Sequence, residues 1–430
     1  IYTLSLHDAL PIWSAGPVDA TEWACLKQAK PVAAGKRIEA GPLSPPGLPL
    51  VAPITKETLM TESATVYYCA PGARSHDNTR LAKVARLCDA LNLKKIIKKG
   101  ELTAIKLHFG EDGNDSHLRP SWVRVVVERI LAAGGKPFLT DTATLYSGSR
   151  QNAYDHMQTA YRHGFVPSVV HAPVILADGL YGENDVPVAI RGRHFRAVHI
   201  ATEIKRAPAM VVLSHFKGHE MAGFGGAIKN LAMGGASARG KREQHDTHVQ
   251  IDHDICVGCG SCVKVCPQKA LSLQEKKSCV DKSRCIGCFE CITVCPPKAI
   301  DIDWNAEIVP FTERMTEYAW GVVKSHPKRI CFINFLMNIT PDCDCAGWSD
   351  LPMVPDLGIL ASTDPVALDQ ACLDLVNQAP WINDAEKGRH VDLSKQDKFT
   401  VRWPHTRGEV QLVHGEALGM GTRTYELKRI

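Results

Sequence analysis

The sequence predicts an α/β host domain with a largely parallel sheet, interrupted by a small, cysteine-rich α+β insertion. Three observations predict it. From about residue 60 onward, short apolar runs of strand length alternate with stretches of helical periodicity, as in a parallel sheet with crossover helices. Between about residues 250 and 303 that alternation stops, and nine cysteines fall within residues 256–295, eight of them at metal-ligand spacing. Behind this stretch the strand-then-helix pattern resumes, which makes the cysteine-rich segment an insertion into the host.

Taken in order, MTESATVYYC at 60–69 opens the host with a strand-like pattern, and Leu102–Phe109 (LTAIKLHF) is β-like. Trp122–Ala133 (WVRVVVERILAA) places apolar residues at helical spacing and is ended by Gly134 and Gly135. Lys136–Asp141 is again β-like, Ala153–His163 reads as a helix ended by Gly164, and strand candidates follow at Val169–Val170, Val174–Leu176 and Ala209–Leu213. After the insertion, Glu313–Lys324 reads as a helix and Arg329–Phe335 (RICFINF) as a buried strand. Gly358–Ser362 with Asp364–Asn377 forms a further strand-then-helix unit. The expected organisation is host at 60–249, insertion at 250–303, and host with a C-terminal tail at 304–430. Strand order is not legible in this pattern.

The residues before 60 are set apart. Ile1–Ile12 (IYTLSLHDALPI) resembles a translated short-read sequencing adapter and is excluded from fold reasoning. Residues 13–59, rich in Pro, Ala and Gly, show no sustained period and read as a non-native or disordered extension. Met60 is the expected native start, which leaves Cys25 without a role.

Composition bounds the function. A chain of 430 residues, 45% hydrophobic and 22% charged, has room for two or three ordinary globular domains. Its net charge of +4 is small, and its Lys and Arg are scattered rather than striped, so nucleic-acid binding gains no support. No apolar run reaches the roughly 18 residues of a membrane span, and no secretory pattern is present. The 16 cysteines, half of them at metal-ligand spacing, point to metal binding in a reducing compartment, and the expected location is cytoplasmic.

The insertion holds two matching runs, Cys256-x-x-Cys259-x-x-Cys262-x-x-x-Cys266-Pro267 and, 29 residues on, Cys285-x-x-Cys288-x-x-Cys291-x-x-x-Cys295-Pro296. A four-iron cube needs four converging thiolates. Two-residue spacings let one tight loop supply three of them, with Gly258 and Gly287 giving the backbone room to turn. In two-cluster ferredoxins the fourth cysteine of each run serves the other cluster. The expected ligands are therefore Cys256, Cys259, Cys262 and Cys295 for cluster A, and Cys285, Cys288, Cys291 and Cys266 for cluster B. The expected cofactors are two [4Fe–4S] clusters in a bacterial-ferredoxin-like α+β unit. Zinc ribbons or a disulfide knot are the alternatives, but zinc is satisfied by four cysteines in two well-separated pairs, which three at two-residue spacing plus a fourth, done twice, overshoots. Cys279 lies at no ligand spacing and reads as a small buried residue.

Three polar signatures mark the host. In Ser214–Gly235 (SHFKGHEMAGFGGAIKNLAMGG), Gly223, Gly225 and Gly226 open a helix carrying Lys229 and Asn230. A glycine-rich turn at a helix start suits an anion, Lys217 and Lys229 add charge, and His215 or His219 could ligate a metal or move a proton. A packing turn with solvated lysines is the plainer alternative. In NITPDCDCAGW at 338–348, Cys343 and Cys345, flanked by Asp342 and Asp344, could grip a soft metal or a thiol partner, or form a structural pair. At strand ends stand Lys106 and His108, Asp141, and Asp364 with Asp369, where ligands gather in parallel sheets. Asp364 also reads as a helix N-cap before Pro365. Lys106 and Asp141 call for partners, because charges rarely enter buried strands alone.

AIKLHFGEDGN (104–114), GGKPFLTDTATLY (134–146), HFKGHEMAGFGGAIKNLAMG (215–234), INFLMNITPDCDC (333–345) and GILASTDPVALDQ (358–370) together resemble the "domain of unknown function 362" family, in a branch with an inserted two-cluster ferredoxin. The resemblance runs from about Met60 to the end. It implies a cytoplasmic iron–sulfur protein and supplies no catalytic residues.

Three functions remain open. In the first, the clusters exchange electrons with a small-molecule substrate or redox partner protein docked on the host, as in an oxidoreductase. Lys106, Asp141, Lys217, His219, Lys229 and Asn230 would line that site. In the second, the chain is a non-catalytic electron carrier. In the third, it is a metal-dependent isomerase or transferase with structural clusters, which a convergent Cys343, Cys345 and histidine would suggest.

Overall fold

Long apolar runs with little polar alternation make strands covered on both faces, and the runs at 209–215 and 330–336 do so here. Every residue of both strands is buried. A computed structural model describes residues 63–430 except 147, 246–248, 286, 288–289, 303 and 383–396. The expectations for Ile1–Ile12, residues 13–59, Cys25, Met60 and Cys288 lie outside the described residues.

The main sheet has seven strands: β1 Ala64–Cys69, β2 Leu102–Lys106, β3 Lys136–Thr140, β4 Ala209–His215, β5 Ile330–Leu336, β6 Gly358–Ser362 and β7 Tyr425–Arg429. Their spatial order is β7-β1-β6-β5-β4-β2-β3. All share one direction except β6, which is antiparallel to β1 (Tyr67 opposite Ala361) and to β5 (Phe332 opposite Ser362). Residues 337–357, which join β5 to β6, contain no helix. Parallel return needs a long crossover, usually helical, so the chain comes back antiparallel. The sheet is thus largely parallel, as expected.

Period-2 alternation divides the core between two faces. Met210, Val212, Phe332 and Leu360 face a cluster completed by the helices Ala227–Gly235, Trp304–Ser325 and Pro365–Gln378. Val211, Leu213, Ile333 and Ala361 face the opposite cluster, closed by Arg80–Ala90 and Pro120–Ala132. The insertion sits in the crossover from β4 to β5. There Val249–Ile251 pairs antiparallel with Ile300–Ile302, and Leu271–Gln274 with Lys277–Val280. Two short helices, Ser261–Val265 and Glu290–Thr293, complete this α+β unit around Val249, Cys262, Leu271, Cys291 and Ile300.

Two expected strands are absent. Val169–Val170 belongs to a helical turn, Pro167–Val170, which Pro167 opens at its first position. Val174 makes only a single bridge to Leu139. The helix expected from Glu313 already begins at Trp304, with Pro310 inside it. Among the described residues no helix is long and apolar enough to cross a membrane.

Candidate functional site

The carboxyl ends of β2, β3 and β4 bring charged groups to one place. Lys106 ends β2 and Asp141 follows β3, and the two form an ion pair at 3.0 Å with side chains 1% and 4% exposed. The Lys106 ammonium also donates to Asn230 Oδ1 at 2.6 Å and to the Leu107 carbonyl at 3.1 Å. Asn230 in turn donates to the Leu213 carbonyl and to Ser214 Oγ at the end of β4. Burial raises the Asp141 carboxyl, but Lys106 and His156 outweigh it and hold the group well below the usual carboxylate range. Burial lowers the Lys106 ammonium against the pull of Asp141. Each charge called for a partner, and each is the other's.

A second network holds the cysteine loop. Asp344 accepts from His215 Nδ1 at 2.9 Å and from Ser116 Oγ at 2.8 Å, with Lys217 Nζ at 3.6 Å. Burial works against the Asp344 carboxylate, and His215 and Lys217 overcome it, so its pKa falls far below normal. Asp344 is thereby fixed between Cys343 and Cys345. Lys217–His219 pairs with Gly223–Gly225 as a short hairpin. Gly218 lies so close to this loop that a Cβ there would stand 2.0 Å from the Pro341 carbonyl oxygen. Its N–H donates to the Thr340 carbonyl at 2.9 Å. Gly218→Ala is expected to push hairpin and loop apart at a cost of about 1–3 kcal/mol, read as a lower urea midpoint. An unchanged midpoint would show that the two segments separate freely.

His219 completes the group: its ring, Cys343 and Cys345 bring their ligand atoms within 4.8 Å of one another. Nδ1 accepts the backbone N–H groups of Met221 and Ala222, both at 3.1 Å. Cys343 Sγ accepts from the Cys345 N–H at 3.4 Å and from Lys229 Nζ at 3.7 Å. A hydrogen bond from the Cys345 thiol, with Lys229 and Lys217 nearby, lowers the Cys343 thiol well below its ordinary value. Through the same contact and burial the Cys345 thiol is raised.

These networks wall a cavity of about 730 Å³. Asp141, His219, Lys229, Cys343 and Cys345 line it, whereas Lys106, Lys217 and Asn230 stand one layer behind. Its other walls include Trp348, Trp403 and Phe311, and also Gly287 and Glu290 of the insertion. Sequence reasoning missed several lining groups. Arg150, paired with Glu111 at 3.0 Å, donates to His108 Nε2 at 3.0 Å. Lys241 donates to Thr142 Oγ1 at 2.5 Å and to the Ala236 carbonyl at 2.7 Å, and burial lowers its pKa to about 8.

The helix start at Gly226 does not receive an external anion. Its first N–H groups, on Ala227 and Ile228, bind the carboxylate of Asp369 at 2.8 and 2.9 Å, and Asn334 donates to the same carboxylate. Asp369 is fully buried, so the anion is supplied from within the protein and the expected binding turn is structural. Asp364 caps the helix Pro365–Gln378, accepting from Val366 and Ala367.

In the insertion, Cys256, Cys259, Cys262 and Cys295 line one small cavity, with Ser278 between them. Cys295 among them belongs to the second run. The two runs repeat local geometry: Cys266 Sγ accepts the Ala270 N–H and Cys295 Sγ the Ala299 N–H, each at 3.2 Å. Gly258 and Gly287 take φ of +67° and +60°, where a side chain would be strained. Cys279 lies in the strand Lys277–Val280, outside the small cavity.

A family profile described as "Domain of unknown function (DUF362)" matches residues 103–374. No curated protein matches the chain. Among solved structures, the lactate racemase apoprotein from Thermoanaerobacterium thermosaccharolyticum is similar at 12% identity and a TM-score of 0.33, covering 64% of this chain and 51% of that one. A protein from Thermotoga maritima is similar at 9% identity and a TM-score of 0.34, covering 65% and 56%. The chain spans little more than half the length of either.

Proposed function

The chain belongs to the DUF362 family, and we propose that it is an iron–sulfur redox protein whose inserted ferredoxin-type unit binds two [4Fe–4S] clusters and serves a substrate held in the host cavity. The observation that carries this reading is the shared wall: Gly287 and Glu290, within the second cysteine run, line the same cavity as Asp141, Lys229, Cys343 and Cys345. The ligand set is supported by the small cavity that Cys295 completes. N–H groups donated to cysteine sulfur are the contacts that stabilise and tune such clusters. When bound, each cluster supplies one electron at a time. The chain's own residues do the rest: Lys106 keeps Asp141 ionised at the cavity wall, and Lys229 offers a cation to the substrate side. Convergence of these groups on one cavity favours a substrate or docked partner over a carrier whose polar residues face solvent. The setting is a reducing one, expected to be cytoplasmic, with neither nucleic acid nor membrane as partner.

The test is anaerobic purification with iron and sulfide analysis and low-temperature EPR. About eight irons per chain and magnetically coupled signals are expected after reduction. Stoichiometric zinc in place of iron would end the reading.

A second reading is favoured by one observation, the convergence of His219, Cys343 and Cys345. It makes the host a metal-dependent isomerase or transferase, with a soft metal at that group and structural clusters in the insertion. One equivalent of zinc or another soft metal beyond the irons would support it.

A further inference from the structure

We infer that Cys343 and Cys345 form a reversible dithiol–disulfide couple, which relays electrons in pairs between the cavity and the insertion. This deepens the redox reading above and rests on it for the electron carriers. The Ala346 N–H donates to the Cys343 carbonyl at 3.0 Å, closing a turn that places the two cysteines side by side. Cys345 is the third residue of that turn, two along from Cys343, so their Cα atoms are at most about 7 Å apart, and a disulfide spans Cα separations of about 4.4–6.8 Å. Both sulfurs are already within 4.8 Å of each other. Asp344 between them is pinned by His215 and Ser116, so the turn is held in place whichever state the sulfurs are in.

The surroundings suit sulfur redox chemistry better than a metal. His219 Nδ1 accepts two backbone N–H groups, which puts the ring proton on Nε2 and removes that lone pair from ligation. Lys229 places an ammonium 3.7 Å from Cys343 Sγ, where it stabilises a thiolate and repels a metal cation. Both cysteines line the cavity, so a substrate reaches them, and Gly287 and Glu290 of the second cysteine run line it too. The couple balances with carriers of the proposed kind. Oxidation joins the two sulfurs, releases the Cys345 proton and gives up two electrons, which the two clusters, when bound, would accept one each. Reduction breaks the S–S bond with two electrons and returns the proton to Cys345.

The full chain, purified anaerobically with its iron, is poised across a series of thiol–disulfide redox buffers. Free thiols are then alkylated, and the peptide containing residues 343–345 is weighed. We expect that peptide to pass between a doubly alkylated and an unalkylated, disulfide-linked form with a two-electron slope. Dithionite reduction of the iron-loaded protein should open the disulfide. Cys343→Ser and Cys345→Ser should each abolish the transition while iron content stays at wild-type level. Alkylation of both cysteines at every potential would overturn the couple, as would a soft metal bound to them or a loss of iron in either variant. Iron and sulfide present without the transition defeats the couple alone. A transition in protein that lacks iron and sulfide defeats the cluster reading, and with it the relay.

Discussion

Asp141→Asn is expected to lower stability by about 3–5 kcal/mol, because it leaves the Lys106 ammonium buried without its counter-charge. The pair is nearly sealed from water, and Asn230 Oδ1 and the Leu107 carbonyl offer only neutral oxygens in exchange. Neutralising Lys106 gives no cheaper escape. From an ordinary pKa of about 10.4, deprotonation at pH 7 costs about 4–5 kcal/mol. The neighbourhood is also too tight to rearrange: a Cβ at Gly234 would stand 2.1 Å from Lys106 Nζ and 2.8 Å from Asp141 Oδ1. Urea unfolding reads the loss as a lower midpoint at unchanged slope. Replacing both partners, as Lys106→Met with Asp141→Leu, is expected to recover most of it, since removing a whole buried pair is far milder than halving it. The sign with pH follows from the depressed Asp141 pKa. The pair's contribution is full above the unfolded carboxyl pKa of about 3.9 and is lost as pH falls through the folded value. The gap between wild type and Asp141→Asn should therefore narrow in acid. A gap that widened there, or a midpoint equal to wild type at pH 7, would mean that the ion pair does not hold these strands together.

How far this site was legible in the sequence follows from the range of its contacts. Lys106 and Asp141 were legible because charge inside an apolar strand demands an explanation, and each supplies the other's. The strands at 209–215 and 330–336 were legible from unbroken apolar runs. Asp369 was not: it reads as one more polar residue on a helix, yet it fills the N-terminus of another helix 142 residues away. Local pattern offers the glycine turn but not its occupant. Lys241 lies in ARGKREQH, where it reads as solvated charge, and only packing shows it buried. The antiparallel course of β6 depends on the helix-free return through 337–357, which strand-then-helix alternation does not reveal. Val169–Val170 carried a usable signal, Pro167 at the start of a helical turn, which the two β-branched residues outweighed.

The proposed crossing of ligands between the cysteine runs predicts an asymmetric pair of variants. Cys295→Ala removes a thiol that faces Cys256, Cys259 and Cys262 across one small cavity, although it belongs to the other run. It is expected to cost cluster A, the group of the first run, and leave that of the second. Cys266→Ala is expected to do the reverse. Each variant should hold about four irons where the wild type holds about eight. The coupling between signals should vanish, leaving the spectrum of a single centre. The surviving spectra should carry the mark of the donors to sulfur at each site. Around the first run, Ser278 gives its N–H to Cys256 Sγ at 3.4 Å and sets its hydroxyl 3.2 Å from Cys262 Sγ. If each run instead kept its own fourth cysteine, Cys295→Ala would spare the first group, and the two surviving spectra would be exchanged. The geometry argues against that: Cys266 is absent from the small cavity, while Cys295 is in it. Loss of all iron from both variants would mean that the runs fold only together. In that case the four-thiol set would be read from thiol protection in wild-type protein, where Cys295 should resist alkylation with Cys256, Cys259 and Cys262 as one group.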